Sequence, residues 1–134
     1  MNAITLKRDA SLTDTSAYGA LLLRVSLGVM YLAHSVILKG LTFGLAGTAK
    51  FFESLGLPGP LAYATFAAEA VGGLMLVFGV KARWVAAALL PVLAGAVWVH
   101  AGNGWVFSAP NGGWEYPVFL VVASLVVILT DEKR

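Results

Sequence analysis

Apolar residues fall in four long runs, separated by short stretches where glycine, proline, asparagine and charge collect. The runs cover about residues 18–38, 61–80, 84–101 and 114–130. None alternates as a barrel strand does, and runs of this length with leucine and alanine throughout predict helices. About 20 apolar residues cross the hydrocarbon core of a bilayer. The pattern therefore predicts an all-α integral membrane protein, a four transmembrane helix bundle. Residues 1–17 read as a polar tail with Lys7, Arg8, Asp9 and Asp14, and 18–134 as a single domain. The first run is too long for a signal-peptide core, contains Arg24 and lacks a small-x-small cleavage site, so it reads as a retained span.

The punctuation between runs is specific. Pro58-Gly59-Pro60 breaks the chain before the second run. Pro91 inside the third predicts a kink, with neighbouring helices satisfying the freed carbonyl. Asp131-Glu132-Lys133-Arg134 closes the fourth. The stretch Gly47–Leu55, GTAKFFESL, places Phe51, Phe52 and Leu55 on one side of a helix and Lys50, Glu53 and Ser54 on the other. That predicts a short interfacial helix between helices 1 and 2. Gly40 to Gly44 predicts a tight turn or a re-entrant dip. The stretch 102–113 carries no charge, and its glycines and asparagines mark turns. Trp98, Trp105 and Trp114 make an aromatic belt beside it.

Composition narrows the class further. Hydrophobic residues make up 59% of the chain and charged residues 12%, with a mean hydropathy of +0.83. A soluble domain is about 45–50% apolar and about 25% charged. A monomeric soluble globule is excluded, and so is disorder, which needs the opposite balance. With no cysteine, disulfides, thiol redox relays and thiolate-bound clusters are excluded too. The net charge of +2 reads as topology rather than nucleic-acid affinity. Lys7, Arg8, Lys81, Arg83, Lys133 and Arg134 fall on one side of the predicted bundle, and Lys39 and Lys50 on the other. Both termini are expected to be cytoplasmic, with the 39–60 and 102–113 loops outside.

Charge inside a span is costly, so each such residue needs a partner or a role. By rise along their helices, Arg24 and Glu69 lie within side-chain reach of one another. The expectation is a structural Arg24–Glu69 ion pair holding spans one and two together. His34, His100 and Glu115 lie at the outer level, with Tyr31, Tyr116, Asn103 and Asn111 close by in sequence. Two chemistries suit such a set: a metal site, since imidazole and carboxylate ligate transition metals, or a proton-transfer and hydrogen-bonding pocket for a quinone head group. No His-x3-His or His-x2-Glu pair backs the metal. The blander reading has the histidines bonded to carbonyls, Glu115 offsetting the dipole at a helix start, and Asn111 as a turn residue. Gly28, Gly72, Gly73, Gly79 and Gly95 read as places where helices approach closely.

Four stretches together resemble the DoxX family of small bacterial four-helix membrane proteins. They are LLLRVSLGVMYLAHS (Leu21–Ser35), LAGTAKFFESLGLP (Leu45–Pro58), AAEAVGGLMLVFG (Ala67–Gly79) and NGGWEYP (Asn111–Pro117). The resemblance covers about residues 20–130. It matches Arg24 and His34 to the family's first-helix arginine and histidine. Glu69 with Gly72 and Gly73 matches its second-helix E-x-x-G-G, and His100 its third-helix histidine. Asn111, Gly112, Gly113 and Glu115 match its loop before helix four.

Relatives include a membrane subunit of thiosulfate:quinone oxidoreductase, so the resemblance implies oxidoreductase-linked work in a bacterial cytoplasmic (inner) membrane. The expected site then has His34, His100 and Glu115 in catalytic, proton-handling roles, with Glu69, Asn103, Asn111 and Tyr116 around a quinone. Imidazole titrates near neutral pH, which suits proton transfer. No flavin or haem motif is present, so electrons would come from a membrane or soluble redox partner protein. The chain would sit in the lipid bilayer, as a homo-oligomer or with that partner, without nucleic acid. Two other classes fit the same residues. One is a non-catalytic scaffold that binds lipid or a partner. The other is a small transporter with Arg24, Glu69 and His34 along its path, against which stand the narrowness of four spans and the lack of an inverted repeat.

Overall fold

The computed structural model describes residues 3–110 and 112–131, with side chains from Thr15 onward. Helix α1 runs Ala3–Leu32 and continues into a π-helical segment, Ala33–Thr42. Then follow α2 (Leu45–Ser54), α3 (Pro60–Phe78), α4 (Ala82–His100) with a 3-10 turn at Ala101–Asn103, and α5 (Glu115–Thr130). No strand occurs among the described residues. The polar stretch expected to be a tail is helical from Ala3, so α1 begins well before the apolar run.

Among the described residues, three stretches are long and apolar enough to cross a membrane: Thr15–Thr42, Pro60–Phe78 and Ala82–Asn103. Helix α5 is as apolar but has 16 residues, about 24 Å at about 1.5 Å per residue. Large side chains face outward along these helices; Leu129 is 80% exposed and Phe78 76%. Water would not tolerate so continuous an apolar surface, whereas lipid does. The protein is a membrane protein.

Local chemistry sets the helix ends. Pro60 starts α3 in the first turn, where a missing N–H costs nothing. Gly79 ends it with φ 75°, and the Gly79 and Val80 amides donate back to Leu76 and Met75. The expected turn across Gly40–Gly44 comes later than the glycines suggest. Residues up to Thr42 stay helical, and the chain reverses at Gly44, where φ is 74°. The short helix expected over 47–55 is present as α2.

Helix α1 packs on α3, α3 on α4, α4 on α5, and α5 back on α1. The buried core holds Leu27, Tyr31, Leu76, Ala86, Leu89, Leu93, Ala123 and Val127. Glycines set the closest crossing. A Cβ on Gly28 would lie 2.7 Å from the Gly73 carbonyl oxygen, and one on Gly73 3.0 Å from that of Gly28. Backbone meets backbone there, as small residues allow between helices in lipid. Gly72 receives the Leu89 side chain of α4 in the same way. Gly95 has nothing within 4 Å of such a Cβ, so its expected packing role is not seen.

Candidate functional site

Glu69 lies midway along α3, roughly 13 Å from either end at about 1.5 Å per residue. It is buried, with 5% exposure. An isolated carboxylate at that depth is very costly, so it requires a counter-charge. The partner is Lys39 of the π segment, whose Nζ stands 2.7 Å from Glu69 Oε1. The expected Arg24–Glu69 pair is therefore replaced. The contact is ionic rather than a well-directed hydrogen bond. Lys39 Nζ also donates to the His34 carbonyl at 3.3 Å.

The π winding explains the choice of partner. With i→i+5 bonding, residue 39 stands one turn above residue 34. At the α-helical period it would lie well round the helix from His34. The segment is fixed at its far end, where Thr48 Oγ1 of α2 donates to the Gly44 carbonyl at 2.8 Å and to the Lys39 carbonyl at 3.3 Å. At Gly40 it lies close against the Phe66 ring. A π stretch this long is rare, and single π turns gather at functional sites.

Arg24 is used elsewhere. Its Nη1 donates to the Leu76 carbonyl at 2.8 Å and the Val77 carbonyl at 3.4 Å. Those carbonyls belong to the last turn of α3, where donors within the helix run out, the Gly79 amide also reaches Leu76, and the negative end of the helix dipole falls. Gly79 leaves the room, since a Cβ there would strike Arg24 Nη1. Arg24→Met should lower the denaturation midpoint, at a cost of about 1–3 kcal/mol for a charged donor lost from a carbonyl. Thermal unfolding in detergent reads this directly. Arg83 does the same for α5, a role the sequence reading missed. Its Nε donates to the Ile128 carbonyl (3.1 Å) and Nη2 to that of Asp131 (2.7 Å), while Asp131 Oδ2 accepts its backbone N–H (3.1 Å).

Near the Lys39–Glu69 pair lie buried and partly buried polar side chains. His34 Nδ1 is 2.9 Å from the Met30 carbonyl, so it carries the proton and donates. In a neutral ring Nε2 then keeps its lone pair. The His34 ring stacks on Tyr116 of α5, centroids 5.3 Å apart and planes at 26°. The hydroxyls of Tyr116, Tyr31 and Ser124 are all buried; that of Tyr116 has no hydrogen-bond partner among the described residues, and those of Tyr31 and Ser124 have only each other, short of good hydrogen-bond geometry. Tyr31 approaches Ser124 and lies within the electrostatic reach of Glu69. Ser35, fully buried, donates to the Tyr31 carbonyl at 2.8 Å. Poorly satisfied hydroxyls in an apolar interior are costly, and their gathering on α1 and α5 near one ion pair makes this the candidate site. Lys39 and Ser124 were not among the expected site residues, and Tyr31 was expected only to lie close by. A lysine at a loop edge and hydroxyls inside apolar runs give no linear signal.

The other expected residues part company. His100 Nδ1 donates to the Ala96 carbonyl at 2.7 Å, and its ring lies against Gly112, with Nε2 3.3 Å from where a Cβ would stand. Asn103 Nδ2 donates to the Gly112 carbonyl at 2.9 Å. Both hold the loop before α5, which is closed further by Trp114 N–H to the Gly104 carbonyl and Glu115 N–H to that of Trp105. Glu115 opens α5, half-buried, with no hydrogen bond or ion pair to its carboxylate among the described residues. Asn111 lies outside the described residues. His34 and His100 share no hydrogen bond or ring contact. Among the described residues no three of His, Asp and Glu gather as metal ligands would.

The DoxX family profile matches residues 19–102. A curated protein of Bacillus subtilis (strain 168), named "Putative oxidoreductase CatD", is 33% identical over 116 residues, covering 86% of this chain and 81% of that protein. No solved structure matches.

Proposed function

The chain belongs to the DoxX family, and from that premise we propose that it is an accessory or subunit of a membrane oxidoreductase, with a quinone-binding polar pocket. All four apolar helices cross the bacterial inner membrane in this reading, α5 included, and α2 lies at the outer interface. Both termini are cytoplasmic. The electron donor is a separate redox protein. The CatD relative carries an oxidoreductase name, which supports the linkage but not the ligand.

The observation that carries the pocket is the His34–Tyr116 stack with its unbonded, buried Tyr116 hydroxyl. A quinone is a flat ring with two acceptor oxygens. Tyr116 is suited to donate to one of them, and aromatic faces favour a stacked ring. When bound, the quinone would supply a lipid-soluble two-electron carrier. His34 would hold or pass a proton at Nε2, and Lys39 with Glu69 would fix the turn of the π segment that carries His34. Glu115, beside Tyr116, would keep a carboxylate at the outer mouth. His100 and Asn103 would hold the lid loop through Gly112.

Two tests follow. Protein purified in mild detergent should carry quinone, extracted and counted by absorbance. Tyr116→Phe should lose most of it while the protein keeps its folded elution profile. Wild-type protein from quinone-rich membranes that holds none would remove the reading. For topology, an alkaline phosphatase fused after Arg134 should be silent and a green fluorescent protein there bright. The reverse pattern would overturn the cytoplasmic C-terminus.

A further inference from the structure

A cavity lies between α1 and α5, toward the end of the molecule away from His34. Its volume is about 260 Å³, and Ala20, Leu21, Arg24, Val127, Thr130 and Asp131 line it. Arg24 reaches the last turn of α3 and Asp131 bonds Arg83 in the first turn of α4. The cavity is thus level with the α3–α4 turn, where the apolar helices end. In a membrane that is the depth of lipid head groups.

Its charges are arranged unusually. A guanidinium and a carboxylate share one cavity, yet they do not pair; Lys39–Glu69 is the ion pair among the described residues. Each is half used. Arg24 spends Nη1 on the α3 carbonyls, and Asp131 spends Oδ2 on the Arg83 amide. Among the described residues no hydrogen bond reaches Arg24 Nε or Nη2 or Asp131 Oδ1. Thr130 donates to the Val126 carbonyl, so its oxygen is left as an acceptor. The remaining wall is apolar, and Leu21 at its edge is 47% exposed.

We propose that this cavity binds the head group of a phosphatidylethanolamine-type lipid. Phosphate suits the free edge of a guanidinium, where charge-assisted bonds are strong. A primary ammonium suits Asp131 Oδ1 and the Thr130 oxygen, to which its N–H groups donate. Leu21 and Val127 meet the glycerol and chain carbons. An anionic head group such as phosphatidylglycerol meets Arg24 equally well but sets no cation against Asp131. A choline head group brings the charge without an N–H donor. The inference is independent of the quinone reading.

The test uses the whole protein, stripped of lipid in mild detergent. It is offered equal amounts of phosphatidylethanolamine, phosphatidylcholine and phosphatidylglycerol with the same chains, and bound lipid is counted by native mass spectrometry. One phosphatidylethanolamine per chain is expected, favoured about tenfold over either competitor, the ratio that about 1.4 kcal/mol gives. Ala20→Phe fills the cavity without touching either charge and should abolish the adduct. Asp131→Asn keeps an acceptor for Arg83 and should erase the preference over phosphatidylglycerol. Equal retention of the three lipids by the wild type would overturn the proposal. So would a phosphatidylethanolamine adduct that survives both substitutions. Soluble phosphoethanolamine binding as well as the lipid would overturn the assignment to a membrane ligand.

Discussion

Replacing Glu69 with alanine is expected to destabilise the protein by about 3–5 kcal/mol, the usual cost of breaking a buried pair by removing one partner. The Lys39 ammonium would be left 17% exposed beside an apolar core, with the His34 carbonyl as its remaining partner. The stranded charge would then pull the π segment toward the surface. Unfolding in detergent, followed by size-exclusion fluorescence, should show a sharply lower midpoint. Lys39→Met should do comparable harm, because the carboxylate is stranded. The double variant Lys39→Met with Glu69→Ala should lose far less than the sum of the two singles, since removing both charges leaves neither stranded. Independent, additive losses would show that the two residues do not act as a pair.

The crossing of α1 and α3 should respond almost as strongly. Gly28→Val puts a branched side chain where a single Cβ would already lie 2.7 Å from the Gly73 carbonyl oxygen and 2.9 Å from the Val77 nitrogen. Neither is a flexible side-chain end, so the helices themselves must separate. Overpacking of this kind costs about 1–3 kcal/mol and more when backbone must move. The same separation would draw Leu32 away from Gly73 and shift the π segment that follows it. Gly95→Ala is the matched control. It meets nothing within 4 Å and should leave the midpoint unchanged or higher. Equal damage at both positions would argue against a close crossing at Gly28.

How much of this is legible in the sequence differs by level. Helices follow from apolar run length, and Pro58-Gly59-Pro60 marks the start of α3, whereas Gly79, expected only at a close helix approach, ends it. The role of Gly28 and Gly73 follows from small-residue packing, but that rule does not tell Gly73 from Gly95; the difference is which face meets a neighbour. The partner of Glu69 was misread because depth alone matched it with Arg24. Depth ignores that the end of α3 needs donors, and it assigns Lys39 to an outer loop. The π segment that turns Lys39 inward has no signature in apolar periodicity. His34 and His100 look alike in sequence, yet one stacks on Tyr116 and the other braces Gly112. Arg83 read as topology charge, and its capping of α5 becomes visible only when α4 and α5 are paired.

The chain holds two histidines, and that makes the central claim directly testable. Protein labelled with 15N-histidine in detergent micelles gives ring signals from His34 and His100 alone, assigned by the variant His100→Gln. A short-chain naphthoquinone is then titrated in. The account predicts a saturable shift of the His34 ring, absent in Tyr116→Phe, with His100 unmoved. If neither ring responds, or His100 alone does, the pocket on α1 and α5 is not a quinone site.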